Sequence, residues 1–157
     1  VADTPSNDDN NPPIPPELSN PFLPHSGKPH LKQMQLKNAD QAPFPCSLVV
    51  FPPANVGGVA LVGNAGVLCE GPIVYMSLHI QMYKINPGGP NTPFGPPWDY
   101  FAIGPVIDGN AIAGCQVFPP PPAAQFFNAA FTQITPLQGP PGTIYQDTLD
   151  EPVTTNC

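Results

Sequence analysis

Val74-Tyr75-Met76-Ser77-Leu78-His79-Ile80-Gln81-Met82-Tyr83 alternates without a break: Val74, Met76, Leu78, Ile80 and Met82 fall on one side, Tyr75, Ser77, His79, Gln81 and Tyr83 on the other. Side chains of an extended chain point to opposite faces with a period of two, whereas a helix gathers its apolar residues at spacings of three and four. The stretch predicts a half-buried antiparallel strand, with one face on a core and the other toward solvent.

The same period recurs on both sides of it, punctuated by Pro and Gly. Lys32 to Lys37 puts Met34 and Leu36 on one face and glutamines on the other. Further strands are predicted over Phe44 to Phe51, Val59 to Cys69, Asp99 to Ile107, Ala111 to Phe118, Phe126 to Ile134 and Thr143 to Leu149. Within the second of these, Gly63-Asn64-Ala65-Gly66 predicts a bend. Asp108-Gly109-Asn110, between Val106-Ile107 and Ala111-Ile112, predicts a hairpin turn, because Asp, Gly and Asn tolerate positive φ. The nearest approach to a helix is Ala123 to Ala130 behind the prolines 119–122, but the alternation of Phe127, Ala129 and Phe131 favours strand. Seven or eight short strands over about 120 residues predict an all-β domain, an antiparallel two-sheet sandwich of Greek-key or immunoglobulin-like type, with a β-barrel as the alternative.

Residues 1–30 differ in kind. Prolines at 5, 12, 13, 15, 16, 21, 24 and 29 remove N–H donors and restrict the residues before them, so neither helix nor paired strand is expected there. The segment is read as a proline-rich extended arm, disordered or polyproline II, in front of a domain over 31–157. Ile14, Leu18, Phe22 and Leu23 are the apolar residues with which such an arm would dock on its own domain or on a neighbour.

Four cysteines, Cys46, Cys69, Cys115 and Cys157, are widely spaced with no CxxC pair, which excludes zinc and thioredoxin-type motifs. An even count at these spacings reads as two disulfides in an oxidising compartment. Of the three possible connectivities, Cys69 with Cys115 and Cys46 with Cys157 is the expected one. Val1-Ala2-Asp3 at the start, with no apolar leader, is what removal of a signal peptide would leave. No run of about 18 apolar residues occurs, so no membrane span is expected.

A cysteine followed by an alternating strand that ends in an aromatic-Lys pair, then a later cysteine, resembles the small secreted β-sandwich proteins of bacterial cell surfaces. The residues are Cys69-Glu70-Gly71-Pro72, Met76 to Tyr83-Lys84, and Cys115. The resemblance covers roughly residues 44–135. It implies an immunoglobulin-like fold and an extracellular setting, and it transfers no active site.

Composition narrows the function classes. Only 10% of the 157 residues are charged, and four Lys with no Arg stand against eleven acids, a net charge of −7. Nucleic-acid phosphates would be repelled, and the bidentate fork used by phosphate and carboxylate sites is missing. A surface of Asn, Gln, Thr, Ser, Gly and Pro costs little side-chain entropy to pack against a neighbour.

Candidate sites are few. His25, His30 and His79 do not converge in sequence, so no metal is expected. No serine lies in a Gly-x-Ser-x-Gly elbow. Asp147, Asp150 and Glu151 read as a solvated acidic tail rather than a calcium loop, and no Asn-x-Ser/Thr sequon occurs. Trp98-Asp99-Tyr100 stands out, since two aromatics around a carboxylate can stack on a sugar and bond its hydroxyls; the alternative is that Trp98 and Tyr100 anchor the core. The expectation is a non-enzymatic extracellular structural protein, a cell-surface, matrix or filament subunit without a cofactor. It would assemble through its arm and strand edges, by self-association or with another extracellular protein or polysaccharide. The alternative is a secreted carbohydrate- or hydrophobic-ligand-binding module using Trp98, Asp99 and Tyr100.

Overall fold

The computed structural model describes residues 28–37 and 42–157. The arm residues Ile14, Leu18, Phe22 and Leu23, with His25, lie outside the described residues. Among the described residues ten strands follow in order: β1 (His30–Leu36), β2 (Phe44–Val50), β3 (Ala54–Val56), β4 (Ala60–Cys69), β5 (Ile73–Ile85), β6 (Thr92–Ala102), β7 (Val106–Gly114), β8 (Ala124–Pro136), β9 (Gly142–Asp147) and β10 (Val153–Thr155). No helix occurs among the described residues, and none is therefore long and apolar enough to cross a membrane.

The strands form two five-stranded antiparallel sheets. In the first, β1, β2 and β4 run side by side, β3 extends the β2 side of β4, and β7 pairs the other side of β4. In the second, β6, β5 and β8 run side by side, and β9 and β10 share the free side of β8, β9 against its C-terminal part and β10 against its N-terminal part. The chain passes between sheets after β4, β6 and β7. One apolar core lies between the sheets, with Leu48, Leu61 and Val67 from the first facing Met76, Leu78, Ile80 and Phe126 from the second, all fully buried.

β5 explains why the second sheet holds together. Met76, Leu78, Ile80 and Met82 are almost completely buried, as the alternation requires. Val74 departs from it: the β5–β8 register shifts between Ile73 and Tyr75, and this bulge turns Val74 outward, 42% exposed. Phe126 to Ile134 and Thr143 to Leu149 correspond to β8 and β9, so the strand reading of Ala123 to Ala130 holds.

Two disulfides form among the four cysteines, and such bonds suit an oxidising, extracellular environment. The pairing differs from expectation. Cys46 bonds Cys69 and Cys115 bonds Cys157. Cys46 and Cys69 stand directly opposite each other in the β2–β4 ladder, both facing the core. Cys115 follows β7 and Cys157 follows β10; Asn55 reaches this end, donating from Nδ2 to Thr155 Oγ1 (2.8 Å) and to the Asn156 carbonyl.

The two glycine-containing segments read as turns are strand interiors. β4 runs straight through Gly63-Asn64-Ala65-Gly66, and β7 runs through Asp108-Gly109-Asn110, the two strands pairing with each other over this length. The turn lies instead at Ile103-Gly104-Pro105, which divides the expected strand Asp99 to Ile107 between β6 and β7, with φ of 135° at Gly104. β7 ends at Gly114, short of the expected Phe118.

Candidate ligand-binding face

The outward side of the second sheet carries an aromatic and polar array that follows from strand register. His79 on β5 stands opposite Asp99 on β6 and Phe131 on β8, and Phe131 stands opposite Tyr145 on β9. Asp99, His79, Phe131 and Tyr145 thus make one row across four strands. The His79 imidazole stacks on the Phe131 ring, with centroids 4.4 Å apart and planes inclined by 20°.

His79 Nδ1 is hydrogen-bonded to Asp99 Oδ1. A carboxylate only accepts, so Nδ1 carries the proton of this bond and the ring is held with Nε2 on its other side. Tyr145 donates its hydroxyl to Asp147 Oδ2 (2.8 Å). Burial of the phenol, reinforced by that hydrogen bond and the Asp147 charge, raises the Tyr145 pKa well above the usual tyrosine range. Tyr145 is therefore a neutral hydroxyl whose proton is held by Asp147 and whose oxygen is left to accept.

The neighbouring row adds Gln81, whose Nε2 donates to the Gly95 and Met82 carbonyls (3.0 Å each) where the β5–β6 register slips between Ile80 and Met82. Beyond it Tyr83 stacks on Phe127 at 5.1 Å. Between these rows runs an open groove of about 350 Å³ whose lining includes His79, Gln81, Tyr83, Asp99, Phe131 and Tyr145. Phe131 and Tyr145 are 42% and 53% exposed, so their ring faces are accessible. Flat apolar rings alternating with fixed hydrogen-bonding groups are suited to a ligand that is itself flat-faced and edged with hydroxyls.

Trp98-Asp99-Tyr100 is divided between the two faces of β6. Asp99 enters the groove, whereas Trp98 and Tyr100 turn inward and pack against the core. Tyr100 donates its hydroxyl to the Asn110 carbonyl (2.6 Å) and accepts from the Asn110 N–H (3.1 Å), joining β6 to β7. Phe131 and Tyr145, groove residues that the sequence reading did not single out as site residues, carried a usable signal: each lies on the solvent-facing parity of its own alternating strand.

The acidic residues near the C terminus also find partners. Asp150 and Glu151 pair with His30 Nε2 at 2.8 and 3.5 Å, linking the start of β1 to the turn after β9, and Asp147 Oδ1 accepts from the Leu149 N–H. No group of three or more His, Cys, Asp or Glu side chains among the described residues is arranged to hold a metal ion.

Comparison with known proteins supplies no family. The chain matches no protein-family model, no curated protein and no solved structure.

Proposed function

We propose that this chain is a non-enzymatic extracellular protein that binds a neutral polysaccharide along the outer groove of its second sheet. The supporting observation is the His79–Phe131 stack, continued by Tyr145 and flanked by Asp99. The rings offer apolar faces to pyranose C–H groups, and the Asp99 carboxylate and Tyr145 hydroxyl offer directional bonds to sugar hydroxyls. The net charge of −7, with Asp99 in the groove and Asp147 behind Tyr145, argues against an anionic glycan. Secretion, an immunoglobulin-like Greek-key arrangement and kinship with bacterial surface sandwiches belong to the same proposal, in keeping with the disulfides and the three sheet-to-sheet crossings. Retardation in gels containing soluble neutral glucans, xylans or mannans tests it. Retardation reduced by Phe131→Ala is the expected result; mobility unchanged by every neutral polymer overturns it.

A second reading, assembly into a surface or matrix structure, is favoured by a separate feature. Tyr75, Phe101, Ile103 and Leu137 are exposed near the end of the molecule where β6 passes to β7 and β8 to β9, and Ile103 is 90% exposed. Apolar side chains gathered at one end and left uncovered mark contact surfaces. Light scattering decides it: a species larger than the 16.6 kDa chain that returns to monomer with Ile103→Asp supports assembly, and a monomer at all concentrations removes it.

A further inference from the structure

Three near-parallel ring pairs stand in file on the outer face of the second sheet. Tyr75, His79 and Tyr83 are outward positions of β5, four residues apart. Tyr75 stacks on Phe101 of β6 (centroids 6.0 Å, planes inclined by 25°), His79 on Phe131 of β8 (4.4 Å, 20°) and Tyr83 on Phe127 of β8 (5.1 Å, 14°). A strand advances about 3.3–3.4 Å per residue, so the pairs recur roughly every 13 Å and the file is roughly 27 Å long. The groove takes in His79 and Tyr83 and stops short of Tyr75 and Phe101. Core packing does not account for this outer pair: Phe101 is 63% exposed, while its neighbours Tyr100 and Ala102 turn inward.

We infer that the ligand is an extended neutral chain lying parallel to β5, with Tyr83, the His79–Phe131 pair and the Tyr75–Phe101 pair as successive stations, and that Tyr75 and Phe101 set the length of chain the protein selects. The inference rests on the polysaccharide reading above and extends it from the groove to the whole face. Stations fixed at one interval along a single strand suit a ligand that presents the same apolar face again and again. Once one station is occupied the next contact is intramolecular, so each added station compounds the affinity of a chain long enough to reach it. Polar groups fill the intervals: Gln81 separates Tyr83 from His79, and Ser77, with Gln133 opposite it, separates His79 from Tyr75. The face offers an anionic chain no cation, because β6, β8 and β9 contain no Lys and Lys84 of β5 has the inward parity of Met82. Ile103 and Leu137 lie in the connections after β6 and β8 rather than on the sheet, so the Tyr75–Phe101 pair can serve the ligand independently of any contact those connections make.

Calorimetric titration of the full chain with size-fractionated gluco-, xylo- and manno-oligosaccharides, from disaccharide to octasaccharide, tests this. Affinity is expected to climb with length up to the longest chains. Phe101→Ala is expected to leave the affinity for the shortest bound oligosaccharide unchanged and to lower that for the octasaccharide roughly two- to thirteenfold, the measure of one aromatic contact. Phe101→Tyr, which keeps the ring, should retain the affinity for the octasaccharide, and Tyr75→Ala should reproduce the length-dependent loss at a second position. Affinity independent of length overturns the inference and leaves the groove reading standing, and so does a Phe101→Ala loss equal for the shortest and longest chains. Failure of the unaltered protein to bind any neutral oligosaccharide or polymer removes the groove reading itself, and the inference with it.

Discussion

Asn128 on β8 projects into the space that Gly63 on β4 leaves empty: a Cβ at Gly63 would lie 2.6 Å from Asn128 Cγ. The amide crosses the core from one sheet to the other, where its Nδ2 donates to the Phe51 carbonyl (3.1 Å) and the Asn64 carbonyl (3.2 Å). Asn128 is 0% exposed, so these bonds are made without competition from water. Asn128→Ala should cost about 1–3 kcal/mol, since buried acceptors lose a donor and a void remains. Gly63→Ala should cost about 1–3 kcal/mol through overpacking. The double variant should be more stable than the sum of the two costs implies, because truncating Asn128 frees the volume that the new methyl needs. Urea unfolding of the four proteins measures the coupling, and strict additivity would contradict direct contact as the cause.

Gly63 also marks the limit of what the sequence makes legible. Glycine in an extended run signals either a turn or a close approach by something else, and only the tertiary partner distinguishes them. At Gly63 the partner is Asn128. At Gly109 it is Tyr100, whose ring would lie 2.4 Å from an added Cβ, so β7 continues through a segment that reads locally as a hairpin turn. The alternation of β5, β8 and β9 needs no partner to be read, which is why these strands and the two-sheet architecture were legible. The groove was only half legible for a related reason. Asp99 stands out in sequence beside two aromatics, but alternation sends those aromatics inward, and the exposed rings of Phe131 and Tyr145 come from strands over thirty residues away.

The two disulfides should contribute unequally, in the order opposite to loop length. Loop closure alone gives about 3.9 kcal/mol for the 42-residue separation of Cys115–Cys157 and about 3.4 kcal/mol for the 23-residue separation of Cys46–Cys69. Cys46 and Cys69 are 0% and 3% exposed inside the core, so replacing both by Ala adds cavity cost to the lost constraint. Paired Cys→Ala variants compared by urea unfolding should show the Cys46–Cys69 variant to be the weaker protein. A larger loss from Cys115→Ala with Cys157→Ala would mean that chain entropy outweighs core packing here.

Tyr145 should remain protonated where other tyrosines ionise. Its pKa is raised by burial first and by Asp147 second, so above pH 10, near the ordinary tyrosine value, the unfolded chain releases this proton while the folded chain keeps it. The folded state then binds more protons than the unfolded one, and stability falls as pH rises from about 10 toward the folded pKa. Absorbance titration at the phenolate band should show one tyrosine ionising well above the ordinary tyrosine range. Asp147→Asn should bring that tyrosine part of the way back, leaving the portion due to burial. An unchanged titration in Asp147→Asn would remove the carboxylate from the account.

Within the groove, the ring at Phe131 and the carboxylate at Asp99 should separate affinity from orientation. Phe131 is 42% exposed and its outer surface is not part of the core, so Phe131→Ala should leave the unfolding midpoint nearly unchanged. It removes the surface on which His79 rests, and with it a stacking contribution of about 0.5–1.5 kcal/mol per aromatic contact, roughly a two- to thirteenfold loss of affinity for a neutral polysaccharide. Asp99→Asn keeps the shape of the side chain but replaces the acceptor that fixes Nδ1 as the protonated nitrogen of His79. Its amide can meet the imidazole as donor or acceptor, so either tautomer becomes available and the face that His79 turns to the ligand is no longer fixed. Phe131→Ala should therefore weaken binding more than Asp99→Asn, which keeps every ring of the row and loses only the fixed orientation of the imidazole. Calorimetric titration of both variants against one neutral oligosaccharide, with Asp99→Asn measured also in a His79→Ala background, distinguishes these effects. An Asp99→Asn loss undiminished in the His79→Ala background would mean that Asp99 contributes only another contact and does not act through His79.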